Sequence, residues 1–223
     1  ISELARCTLW HIQQGASAMH FTGAAQANDA AVGGVQADYL DGAAGNDVLV
    51  GNAGTDVLIG GAGSDVLLGG LHDDWLQGGA GADRLLGGLG FDTYEFAGDF
   101  GQDLVLDSDG QGAIRFAGNL LPQGLKLGDN TWMSADRTWA FLFTPSAADA
   151  TRGTLVIQQA GTGNKITVRD WQRGTLGITL SDTPPPEAPP ATARRTILGD
   201  RATLDVDPAS PACSSATTTW ATC

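Results

Sequence analysis

Eight aspartates stand nine residues apart: Asp29, Asp38, Asp47, Asp56, Asp65, Asp74, Asp83 and Asp92. No histidine or cysteine keeps step with them. Carboxylates at constant spacing are hard oxygen donors, and they suit a hard divalent cation. Calcium fits best, because it accepts oxygen cages of about six to eight ligands, whereas magnesium holds on to its waters. The rest of the chain offers little competing chemistry. There is no HExxH pair, and Ser17 in GASAM lacks the second glycine of GxSxG. His11 and His20 have no partner at metal-ligand spacing. The run His72-Asp73-Asp74 reads as a deviant loop with an exposed imidazole rather than a transition-metal site. DSDGQG from Asp107 resembles an EF-hand opening, but with Gly110 at the sixth position the twelfth is Phe116, not glutamate. No catalytic residue is expected in this chain.

The aspartates sit in a repeat. From Gly42 the units run GAAGNDVLV, GNAGTDVLI, GGAGSDVLL, GGLHDDWLQ, GGAGADRLL and GGLGFDTYE, preceded by GGVQADYLD from Gly33 and a degraded AAQANDAAV from Ala24. Aspartate is sixth in each unit. The eighth residue is apolar: Ala31, Leu40, Leu49, Leu58, Leu67, Leu76, Leu85 and Tyr94. Glycines at positions one, two and four permit backbone angles and close approaches that a Cβ forbids. VLV, VLI and VLL are strand formers. The first six residues of each unit are therefore expected as loop and the last three as strand.

Only alternate side chains of a strand face one way. Leu49, Leu58 and Leu67 then point inward from opposite walls. Two units make one turn of about 18 residues, and eight units make about four turns. The fold expected is all-β, a right-handed parallel β-roll. Its loops fall into two files, one with Asp29, Asp47, Asp65 and Asp83, the other with Asp38, Asp56, Asp74 and Asp92. Loops in one file stack at roughly 4.8 Å, so aspartates of neighbouring loops can face one gap. The ligands expected are Asp47, Asp65, Asp83, Asp56, Asp74, Asp92 and Asp38, with backbone oxygens of the glycine turns Gly60, Gly61, Gly63, Gly78, Gly79 and Gly81. The firmest sites are expected between Asp47 and Asp65 and between Asp65 and Asp83. In the second file Gln36 and His72 replace the fourth glycine and Asn52 the second, which predicts weaker sites. The Asp29 loop has no glycine, and no site is expected there.

The nonapeptide GGxGxDxUx resembles the repeat of RTX, or haemolysin-type, calcium-binding proteins. That resemblance implies several calcium ions, an extracellular location and export by a type I secretion system. Members include cytolysins, metalloproteases, lipases and adhesins. Three readings follow. The chain is a non-catalytic module that folds on extracellular calcium and supports secretion of a larger bacterial protein. Alternatively it is the C-terminal part of a secreted hydrolase or toxin whose catalytic domain is missing, or an adhesin fragment. A hydrolase motif upstream of Ile1 would decide for the second, and further repeat arrays for the third.

Charge agrees with bound cations. The chain carries net −13, yet residues 24–110 alone hold 15 acidic residues against one basic residue, Arg84. Such a block repels phosphate backbones, so nucleic acid is not an expected partner, and it needs counter-charge. No apolar run of about 18 residues predicts a membrane span, and no signal peptide is recognised at Ile1. One inward side chain per nine residues is a thin core, so folding is expected to depend on the ion.

Around the repeats, residues 1–23 are expected to end a preceding region, with a short helix over ISELARCTLWHIQQ. Residues 96–181 hold short β-type runs (AIRFAGNL, TWAFLF, TLVIQQ, KITVRDW, GITL) and Trp132, Trp139 and Trp171. They are expected as a β-rich cap that closes the roll, and they resemble the region following the repeats in haemolysin-type proteins. Gln102-Asp103 is expected to extend the last turn. Residues 182–223 are expected as a Pro-rich linker followed by a low-complexity, disordered tail. Cys7, Cys213 and Cys223 show neither metal spacing nor a dense disulfide framework.

Overall fold

A computed structural model describes residues 7–12 and 17–184. The linker and tail beyond residue 184, with Cys213 and Cys223, lie outside the described residues.

Alternation of inward and outward side chains along short β-formers builds two stacked walls. One wall takes β1 (Cys7–Ile12), β3 (Asn28–Val32), β5 (Val48–Ala53), β7 (Val66–Leu71), β9 (Arg84–Leu89) and β11 (Gln102–Leu106). The other takes β2 (His20–Thr22), β4 (Tyr39–Asp41), β6 (Val57–Gly63), β8 (Trp75–Gly81), β10 (Asp92–Phe96) and β12 (Gly112–Phe116). Neighbours in each wall are parallel and pair residues one turn apart, as in Leu49↔Leu67 and Leu58↔Leu76. The described residues contain no helix. This is the β-roll expected from the spacing. It reaches further than the repeats, since β1 and β2 precede them and β11 and β12 follow.

The interior is two facing columns. Ala31, Leu49, Leu67, Leu85 and Val105 line one, and Phe21, Leu40, Leu58, Leu76, Tyr94 and Ile114 the other, all buried. The eighth position of every unit thus points inward, as alternation requires.

Two local expectations fail. The helix over the first residues is not formed at 7–12, where β1 pairs in parallel with β3; an edge offering free N–H and C=O groups outweighs weak helical periodicity. The glycines are also not simply loop. β6, for example, runs from Val57 through Gly63, and Gly61↔Gly79 and Gly63↔Gly81 are paired between turns. Glycine is a poor strand former on a flat surface, but stacked identical turns pair its backbone regardless of propensity.

After the roll the chain adds β13 (Asn119–Leu120), β14 (Gly124–Gly128), β15 (Thr131–Ser134), β16 (Trp139–Pro145), β17 (Arg152–Gln159), β18 (Lys165–Gln172) and β19 (Leu180–Ser181). β18 pairs in parallel with β11, and β17, β16, β15 and β14 follow antiparallel. The region after the repeats therefore continues one wall. Its core column runs on through Val168, Leu155 and Phe143. Aromatic edges fill the end of the roll, with Phe96 on Phe100 at 5.0 Å, Phe100 on Phe116 at 6.2 Å and Phe116 on Trp139 at 5.1 Å between ring centres.

Candidate metal centre

Each repeat aspartate from Asp38 to Asp92 begins or immediately precedes a strand, at the corner between two walls, and Asp29 is the second residue of β3. The turn before it depends on glycine where the chain passes over the previous turn. Gly63 has φ +139°, and a Cβ there would lie 1.6 Å from the Gly45 carbonyl oxygen; at Gly81, with φ +145°, it would lie 1.7 Å from the Gly63 oxygen. Only glycine combines that angle with that approach. Ala43 (69°), Asn52 (74°) and His72 (79°), which stand where other units have glycine, also take positive φ.

All eight repeat aspartates are buried. In the first file the Asp29 N–H donates to Asp47 Oδ1 at 2.7 Å, Asp47 to Asp65 and Asp65 to Asp83 at 2.8 Å. In the second, Asp38 donates to Asp56 at 2.7 Å, Asp56 to Asp74 at 2.8 Å and Asp74 to Asp92 at 3.0 Å. From Asp47 and Asp56 onward, one oxygen of each carboxylate thus locks its loop to the loop before. The other, Oδ2 of Asp47, Asp56, Asp65, Asp74, Asp83 and Asp92, is buried with no hydrogen-bond partner. A buried carboxylate oxygen left so is costly, and a repeated set of them points to an ion.

Backbone oxygens face these orphans. The Cβ position of Gly42 is 2.4 Å from Asp47 Oδ2 and 2.8 Å from the Gly60 oxygen; that of Gly60 is 2.4 Å from Asp65 Oδ2 and 2.5 Å from the Gly78 oxygen. The absence of a side chain at position one leaves this gap. Among the described residues, no three His, Cys, Asp or Glu side chains form a metal-holding group. Any site here joins aspartates to backbone carbonyls. Such an oxygen-only donor set fits calcium.

The first units of each file differ. Asp38 has both oxygens engaged, by the Met19 and Gly34 N–H groups at 2.6 Å each, and Asn52 Nδ2 donates to the Gly33 oxygen at 2.8 Å. Asp29 turns Oδ2 to the Ala24 N–H at 2.7 Å and leaves Oδ1 without a partner. His72 is exposed at its deviant turn.

The first file also gains a member. Asp103 is buried, its Oδ1 accepts the Asp83 N–H at 2.8 Å, and its Oδ2 is unpartnered. It stands 20 residues after Asp83, because two extra residues follow Glu95. The signal was the continued G-x-D with alternating Leu104 and Val105. A strict nine-residue count passes over it. Asn164 was not legible at all. Buried between roll and cap, it donates to the Gly98 oxygen at 2.9 Å and accepts the Gly101 N–H at 3.1 Å.

Without an ion the carboxylates resist ionisation. Burial pushes Asp103 up to about 8, Asp65 and Asp74 up to about 7, and Asp47 and Asp92 up to about 6, and it raises Asp56 and Asp83. Amide hydrogen bonds pull the other way and are outweighed.

Residues 25–58 and residues 59–94 each match a family described as RTX calcium-binding nonapeptide repeat (4 copies). No curated protein matches the chain. RTX nonapeptide repeats bind several calcium ions, and the oxygen-only corners described above agree with that ion. No helix among the described residues is long and apolar enough to cross a membrane.

Proposed function

We propose that this chain is a non-catalytic calcium-binding module that folds on extracellular calcium and supports secretion and folding of a larger bacterial protein. The ligands are Asp47, Asp56, Asp65, Asp74, Asp83 and Asp92, joined by Asp38 and by backbone oxygens of Gly60, Gly61, Gly63, Gly78, Gly79 and Gly81. The observation that carries this reading is the row of six buried aspartates from Asp47 to Asp92, each with one oxygen unpartnered, inside a match to calcium-binding repeats. Extracellular modules bind calcium at about 0.1 to 1 mM. At cytosolic calcium the repeats stay unfolded and pass through a type I exporter. Outside the cell the ion joins the loops, and the two walls form with it.

Trypsin supplies a test, because Arg84 in β9 is its only target between residues 24 and 110. With chelator, the full chain is expected to be cut rapidly after Arg84; with a few millimolar calcium that bond is expected to resist. Equal cleavage rates in the two conditions would count against calcium-driven folding.

A further inference from the structure

The second file has an unusual end. In its earlier turns, the gap at each position-one glycine is shared by an aspartate oxygen and a carbonyl of the next turn. The Cβ position of Gly51 is 2.3 Å from Asp56 Oδ2 and 2.7 Å from the Gly69 oxygen; that of Gly69 is 2.4 Å from Asp74 Oδ2 and 2.7 Å from the Gly87 oxygen. At Gly87 the same position is 2.2 Å from Asp92 Oδ2 and 2.2 Å from the Tyr94 hydroxyl. The tyrosine oxygen stands where a repeat carbonyl stood before. No aspartate follows in register, since Gly112 of β12 pairs opposite Asp92.

A carboxylate arrives by another route. Asp107, in the turn after β11, accepts the Tyr94 O–H through Oδ2 at 2.8 Å and the Gly110 N–H through Oδ1 at 2.6 Å. The Tyr94 oxygen in turn accepts the Gly87 N–H at 3.0 Å. Asp109 pins the same turn to the roll by accepting the Gly90 N–H at 3.1 Å. Opposite lies Asp92 Oδ2, in a fully buried residue and without a partner. Among the described residues the ion pairs join Asp182 to Lys126 and Arg173, and neither reaches this corner. Arg152 and Arg169 line the cleft on the outer side of Asp107 but form no ion pair with it, so the carboxylates gathered here are not neutralised by direct contact with a cation.

We propose that this corner is a calcium site closing the second file. Asp92 and the non-repeat Asp107 are its charged ligands, and Tyr94 is the positioning residue that holds Asp107 in place. It rests on the reading of the repeats as calcium-binding and extends it past residue 94, where the family match ends. The chemistry is that of the other corners, two carboxylates and neutral oxygens, but the second carboxylate comes from outside the repeat. Closing the last turn with an ion ties the segment after β11 to the roll.

The test is a count of bound calcium on the full chain, by equilibrium dialysis with labelled calcium at saturation, alongside circular dichroism. Asp107→Asn is expected to bind one ion fewer than the parent, with the β signal kept. An unchanged count overturns the proposal. Should Asp107→Asn fail to fold, Tyr94→Phe keeps the buried ring and releases Asp107. It is expected to weaken one ion roughly tenfold or more, as loss of an outer hydrogen bond to a ligand does, and to leave the others unchanged; binding identical to the parent overturns the proposal. A parent chain that binds no calcium would instead refute the reading of the repeats.

Discussion

In chelator at pH about 7.5 the roll is expected to be unfolded, and lowering the pH to about 5 is expected to restore much of its β signal. The direction follows from the buried carboxylates. An aspartate in an unfolded chain has an ordinary value near 3.8, whereas in the metal-free roll Asp47 and Asp92 rise to about 6, Asp65 and Asp74 to about 7 and Asp103 to about 8, chiefly through burial. Between roughly pH 4 and 8 the folded state then holds protons that the unfolded state has lost, so stability falls as pH rises. The contribution is fully present below about 4 and is lost through the range 6 to 8. Each such carboxylate is worth on the order of a few kcal/mol. Acid thus substitutes for the ion by removing charge that burial cannot tolerate. The calcium-loaded roll should show the opposite slope, because protons compete for the same oxygens. Far-ultraviolet circular dichroism across pH 5 to 7.5, with and without calcium, checks both. A metal-free signal that grows with pH would contradict the account.

Replacing Asp65 by alanine is expected to damage calcium-driven folding far more than replacing Asp29. Asp65 lies mid-file: its Oδ1 accepts the Asp47 N–H, its own N–H donates to Asp83, and its Oδ2 faces the gap before Gly78. Its loss removes a charged ligand and a hydrogen bond to a charged group, the latter alone worth about 1.5 to 3 kcal/mol. Asp29 has one following neighbour, Asp47, and spends Oδ2 on the Ala24 N–H. In calcium titrations followed by circular dichroism, Asp65→Ala should raise the midpoint at least about tenfold, which is about 1.4 kcal/mol. Asp29→Ala should move it by less than half of that free energy. Equal shifts would refute the arrangement of the loops into two files.

Much of this was legible because the repeat is regular. Nine-residue spacing places successive strands on opposite walls, and alternation alone sends Leu49, Leu58 and Leu67 inward. Other features depend on what the repeat meets in space. β1 forms because β3 offers it an edge, a fact no local propensity at residues 7–12 contains. Gln102-Asp103 extends the last turn as expected, but that Asp103 takes the aspartate's place in the first file shows only in space, because two inserted residues put it out of step with the count. Glycine-rich stretches read as loop, and they pair because identical turns lie above and below them. Asn164 joins β18 to the last turn across more than sixty residues, as its bond to Gly98 shows, and no pattern links such positions in advance. The double use of the aspartates from Asp47 to Asp92, one oxygen for an amide and one for the gap, appears only when turns are stacked.

These two files of aspartates are expected to bind calcium in preference to magnesium. Isothermal titration calorimetry of the full chain with each ion addresses it most directly. Calcium is expected to give a saturable heat for several ions per chain at concentrations up to about 1 mM, with magnesium giving little. No heat with calcium, or equal binding of magnesium, would contradict it.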